Sequence, residues 1–320
     1  MTGKFWVLVV ALTAALWTTT ANAQNPIQWS GNARLSIERA REMSLPLMFW
    51  VDQRVNWNDD GDLRDAQEAA FRDPIVAWIA QQRFVPVRVS RNSRVLEECR
   101  ELGLPTEFGL YVALVTPEGQ VLDQINPGEV ATPEALAERL AAASRKYRNE
   151  LYDQRYKAII TNKEAPKAEV RQAVQAVWRL GMFSAAPDVV ALLDRTDLTQ
   201  TERSRLYGMI AAIATKPCVE ALLSRAASGD REAASALGRA EPGALEWLIP
   251  ELPPGDSDAF TPRQMAAYAA VAQLARTGPV RPEAFWKNSK VEDRTREMDR
   301  VRARAQAVLE YWQENAGRWR

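Results

Sequence analysis

The chain opens with an apolar run from Phe5 to Trp17 behind a single Lys4, followed by three threonines and Ala21-Asn22-Ala23. A charged start, a short apolar stretch and a small-x-small ending mark a secretory signal peptide over residues 1–23, cleaved before Gln24. The run is shorter than the roughly 20 residues a membrane-spanning helix needs, and no later run reaches that length, so no membrane span is expected after cleavage. Strand and helix patterns then alternate. Leu35, Ile37 and Ala40 suit a helix over about 28–43, with Ser30 or Asn32 as its cap. Leu47-Met48-Phe49-Trp50-Val51 is a continuous apolar pentad, the signature of a buried strand. A polar stretch over 52–62 leads into helical spacing through Leu63, Ala66, Ala70, Phe71, Val76 and Ile79, broken at Asp73-Pro74. A second strand at 84–89, a helix at 94–102, and strands at 111–116 and 120–122 around Pro117-Glu118-Gly119 follow. Thr132-Pro133 starts the next helix.

From about Lys163 the strand signals stop and alanine becomes common. Three segments align on a proline: Pro187 with Leu192 and Leu193, Pro217 with Leu222 and Leu223, and Pro242 with Trp247 and Leu248. Their partner helices begin near Glu169, Glu202, Arg231 and Arg263, at offsets of 33, 29 and 32 residues. A single helical hairpin of this size has no way to bury its apolar face alone, so the pattern predicts a stack that shares one continuous core. Val170, Val174, Val177 and Leu180 form the first inward stripe, and Ile210 and Ile213 continue it. The last helix, from Val291 to about Asn315, turns Val301, Ala305, Val308, Leu309 and Trp312 inward. Its arginines at 294, 296, 300, 302 and 304 alternate with acids and read as a solvated face. Trp319 is either frayed or docked.

Composition narrows the chemistry. The 320 residues hold 41 Lys+Arg against 41 Asp+Glu and no His. Without His there is no Ser-His-Asp or Cys-His constellation and no His metal ligand. A balanced charge gives no footprint for nucleic acid. Cys99 and Cys218 are the two cysteines, too few for a disulfide framework or a zinc site. Cys99 shares a helical face with Val95, Leu96 and Leu102 and reads as a small buried apolar residue. Cys218, behind Pro217 at a helix start, reads as the more reactive thiol. The run Asn56-x-Asn58-x-Asp60-Gly61 imitates a calcium loop. It lacks the Asp at the first place and the bidentate Glu at the twelfth, where Gln67 stands, so no metal or other cofactor is expected.

The first half, with Leu45 to Val51, Phe71-x-Asp73-Pro74, Phe84 to Val89 and Tyr111 to Leu122, resembles thioredoxin-like domains. The second half looks like degenerate HEAT-type repeats. Together they imply an α+β multidomain chain: a thioredoxin-like α/β domain over 24–148 and an all-α HEAT-like domain over 149–320. Active members of the first family carry Cys-x-x-Cys after the first core strand, where the thiolate attacks a disulfide. This chain has Asp52-Gln53-Arg54-Val55-Asn56-Trp57 there, with Arg54 and Trp57 at the two cysteine places. The family's cis-proline place falls on Tyr111. The resemblance thus implies the fold without the dithiol reaction. The expected function is a secreted or periplasmic, non-catalytic module that binds a protein or peptide. Trp50, Arg54, Trp57 and Tyr111 are the binding candidates, unless the aromatics among them belong to the core. The alternative is a thiol-disulfide oxidoreductase working through Cys99 or Cys218 alone.

Overall fold

The computed structural model describes residues 27–53, 61–90, 94–104, 106, 107, 109–126, 129 and 132–320. Residues 1–23, expected to be a signal peptide, lie outside them. The chain divides into two compact units, Met1–Tyr147 and Arg148–Arg320.

The first unit is a four-stranded mixed sheet with helices around it. Helix α1 (Ala33–Met43) starts at Asn32, whose side chain accepts from the Leu35 amide, so Asn32 is the cap rather than Ser30. Strand β1 (Leu47–Gln53) follows, then α2 (Gly61–Phe71) and α3 (Pro74–Arg83). Between those helices Asp73 caps and Pro74 occupies the first turn, the break expected from Asp73-Pro74. Strand β2 (Val85–Ser90), helix α4 (Arg94–Glu101) and the hairpin β3 (Gly109–Val115) and β4 (Val121–Ile125) complete the sheet. The strand order is β2-β1-β3-β4. β1 runs parallel to β2 and antiparallel to β3, and β3 pairs antiparallel with β4. β1 is therefore flanked on both sides and buried along its whole length, which is why its sequence is an apolar run without alternation. Ser30 exchanges main-chain hydrogen bonds with Pro86 and Arg88, so the free edge of β2 is partly covered by the chain entering α1. The hairpin turn closes at Gly119, whose φ of 94° suits glycine.

Helix α5 (Pro133–Leu151) contains the boundary between the units and continues into a wide turn over Tyr152–Tyr156 and α6 (Lys157–Thr161). The second unit is all helical. Its elements are α7 (Lys167–Leu180), α8 (Ala186–Ala191), α9 (Gln200–Ile213), α10 (Lys216–Ala227), α11 (Arg231–Leu237), α12 (Leu245–Leu248), α13 (Pro262–Leu274), α14 (Glu283–Asn288) and α15 (Val291–Glu314). Capping boxes start α9 at Thr199 with Glu202 and α13 at Thr261 with Gln264. α10 packs against α9, α11 and α13, which leaves Leu222 and Leu223 at 0% and 1% exposure. The third proline-aligned segment departs from the other two. Trp247 is only half-buried, with the Lys216 ammonium 5.7 Å from its ring centroid. Tyr207 donates to Asp230 at 2.7 Å and Tyr268 to Glu297 at 3.5 Å, so buried tyrosines also tie the helices together.

Helix ends inside this stack are held by arginines. Arg148, 4% exposed, donates to the carbonyls of Leu180 and Gly181 at the end of α7, at 3.1 and 2.8 Å. Arg320 donates to Ala212 and Ile213 at the end of α9, at 2.8 and 3.0 Å. Arg300 reaches Thr277 just past α13, Arg302 reaches Leu252 and Pro253, and Arg294 reaches Trp286 and Ser289 around the end of α14. A helix C-terminus carries unpaired carbonyls and partial negative charge, which a guanidinium fork satisfies. This corrects in part the reading of the Arg-rich face of α15 as solvated. Arg294 is 8% exposed, Glu297 7% and Arg302 half-buried, while Arg296, Arg300 and Arg304 are exposed. Replacing Arg148 by Met should lower the stability of this unit by about 1–3 kcal/mol, because two carbonyls lose their donor. Arg296→Met should change it by less than about 0.5 kcal/mol. Urea unfolding of the two variants checks both.

Candidate functional site

The chemistry implied for the end of β1 depends on what β1 presents there. Trp50 is 2% exposed, and its indole donates to Gln67 Oε1 on α2 at 3.0 Å. Phe71 and Trp29 pack on its ring with centroids 5.0 and 5.5 Å away. The Arg88 guanidinium sits 4.4 Å from the ring centroid and donates to Asp52 Oδ2 at 3.0 Å. Arg64 on α2 also reaches Asp52 Oδ2, at 3.3 Å, and pairs with Glu68 at 2.6 Å. These contacts lock β1, β2 and α2 together through one buried carboxylate and one stacked cation.

Tyr111 is 6% exposed and donates weakly to the Glu107 carbonyl at 3.4 Å. Its pKa is raised, by burial first and by the Glu107 charge second. Tyr111 pairs with Val51, one residue along from Trp50, so the two rings lie on opposite faces of the sheet. Neither ring is open to a partner, which corrects their assignment as exposed anchors and puts both in the core. Arg54 and Trp57, like the calcium candidates Asn56, Asn58 and Asp60, fall in 54–60 and lie outside the described residues.

Gln53 closes β1. It is 0% exposed, and both of its amide atoms lack a hydrogen-bond partner. Such a group costs stability that an apolar residue of the same shape would not.

The thiols are equally withdrawn. Both cysteines are free and buried. Burial, helped by the neighbouring Glu98 charge, pushes the Cys99 thiol up to about 12. Burial also raises Cys218, although hydrogen bonds from Thr215 and the charge of Arg320 oppose the shift. The helix-start position of Cys218 therefore does not make it reactive, because desolvation outweighs it. Among the described residues no group of three His, Cys, Asp or Glu side chains is placed to hold a metal. No helix among them is long and apolar enough to cross a membrane.

The second unit offers an open cleft of about 440 Å³ for which no motif in the chain is a marker. Phe183, Thr215, Glu246, Trp312, Arg318 and Arg320 line it. The Trp312 ring is held between two glycines. A Cβ at Gly243 or at Gly317 would come within 2.5 Å of its ring atoms. The short turn Gly317–Trp319 folds back here, so Trp319 is docked, at 6% exposure. Arg320 lies with its guanidinium 4.1 Å from the Phe183 ring centroid and 5.4 Å from that of Trp312. Burial lowers its pKa.

Comparison with protein-family models, curated proteins and solved structures returned no match for this chain. Function rests on the residues themselves.

Two outcomes follow from this geometry. Neither thiol should react with a thiol reagent in the folded protein, and both should react once it is denatured, as read by absorbance of the released chromophore. Gln53→Met should leave the urea midpoint unchanged or raise it.

Proposed function

We propose that this chain is a secreted or periplasmic, non-catalytic binding protein, thioredoxin-like in its first unit and HEAT-like in its second, that takes a protein or peptide partner. The strand order β2-β1-β3-β4, with its parallel pair and antiparallel hairpin, supports the thioredoxin-like assignment. Recurrence supports the repeat assignment: α7, α9, α11 and α13 begin 33, 31 and 31 residues apart. Loss of the dithiol reaction is supported by the absence of any cysteine near β1 in the sequence and by the withdrawal of both thiols into the interior.

The observation that carries the binding role is the cleft beside Trp312. It combines two aromatic walls with the Glu246 carboxylate and the Arg318 guanidinium, the mixture of apolar surface and orienting charge that recognition sites use. Trp50 and Tyr111 have no part in it, so substituting them would test folding rather than recognition.

Affinity capture from periplasmic extract, with wild-type and Phe183→Ala baits in parallel and an insulin-reduction assay on the same preparations, tests the reading. The expected result is a partner held by the wild type, weakened at least about fivefold by Phe183→Ala, with no reductase turnover. Turnover that disappears in Cys99→Ser or Cys218→Ser would overturn it in favour of single-cysteine redox chemistry.

A further inference from the structure

We infer that the cleft beside Trp312 is an arginine-binding site, filled here by the chain's own Arg320, and that a partner peptide takes it by presenting an arginine in place of that residue. The inference rests on the binding role proposed above and gives the partner its chemistry.

Each wall of the site matches a guanidinium. Arg320 Nη2 reaches the carbonyls of Ala212 and Ile213 at the negative end of α9, at 2.8 and 3.0 Å. Phe183 and Trp312 supply ring faces on which a planar cation stacks. Glu246 adds a carboxylate on the rim. Lysine has no flat face to lay on the two rings, so the geometry selects arginine.

Arg320 differs from the other carbonyl-holding arginines in the backbone that carries it. Arg148, Arg294, Arg300 and Arg302 project from the long helices α5 and α15. Arg320 hangs from the three-residue turn Gly317–Trp319, which is closed by main-chain hydrogen bonds of 3.4 Å. Docking that turn buries the Trp319 ring but leaves its indole N–H without a partner. That unpaired donor is a cost the strap carries and a partner's arginine does not. Beside the occupied seat, the open part of the cleft leaves room for the rest of a peptide.

Self-occupancy should weaken binding in trans, because a tethered ligand competes at a high effective concentration. The test is a calorimetric titration of the full chain, and of Arg320→Ala, with the acetylated peptide Gly-Arg-Trp-Arg. A second peptide carries citrulline, uncharged and nearly isosteric, in place of its last arginine. The expected result is that Arg320→Ala binds the arginine peptide at least about tenfold more tightly than the wild type does. The citrulline peptide, and the double variant Arg320→Ala with Phe183→Ala, should lose that gain.

Gly317→Ala provides a second route if Arg320→Ala is unfolded by circular dichroism. It keeps Arg320 but drives a Cβ against Trp312, so it should lift the strap and give the same gain. Equal binding of the arginine and citrulline peptides, or equal binding by wild type and both strap variants, would overturn the inference. Partner capture that persists while peptide binding fails would leave the binding role standing and remove the arginine assignment. Peptide binding with no partner captured would do the reverse.

Discussion

A unit built from short stacked helices must dispose of many helix ends in its interior, and each C-terminal end carries carbonyls that no helical amide satisfies. In this protein the ends of α7, α9, α13 and α14 receive guanidinium groups from elsewhere in the unit. Arginine suits the task because one guanidinium nitrogen reaches two carbonyls and its charge opposes the helix dipole. Two of the donors are remote in sequence. Arg148 lies 32 residues from Leu180 and Arg320 lies 108 from Ala212, so these contacts also fix the place of a distant segment. Hydrophobic burial supplies the bulk of the stability; α7 and α9 stop at the left-handed residues Gly181 and Ala214, and the guanidinium contacts satisfy carbonyls left over there.

The same logic governs the sheet. β1 has partners on both sides, so the only charged side chain it buries, Asp52, is matched by Arg64 and Arg88. Arg88 in turn lies against the Trp50 ring. Aromatic surface that a binding site would expose is spent here on joining strand to helix, and the thiols that a redox site would expose are held in the interior. The cleft of the helical unit, by contrast, keeps an aromatic pair, Phe183 and Trp312, beside open space.

Much of the architecture was legible in the sequence, for reasons that are local. The apolar pentad at Leu47–Val51 could only be a buried strand, and Asp73-Pro74, Thr132-Pro133 and the proline-aligned segments marked helix starts through capping and the fixed φ of proline. The inward stripe of α7 appeared as its spacing required. Side-chain destinations were less accessible. An arginine alternating with acids looks the same in sequence whether its guanidinium meets water or a buried carbonyl, and Arg294 and Arg302 differ from Arg296 only through contacts made by distant segments. Trp50 and Tyr111 carry the same ambiguity: the register of β1 against β3 puts them on opposite faces of the sheet, and both faces are covered, so both rings are buried. Cys218 was misjudged because its helix-start position was visible and its complete burial was not.

Native-state hydrogen exchange across the last turns of α7 and α9 tests the role of the arginines most directly. If the guanidinium groups hold these ends, amides from Val177 to Leu180 and from Ile210 to Ile213 exchange in the wild type as slowly as those of Leu222 and Leu223. Arg148→Met then accelerates the first group by about tenfold or more and leaves the second unchanged. Rapid exchange of both last turns in the wild type, with no change in the variant, would mean that the helix ends fray whether or not an arginine stands over them, and would contradict the account.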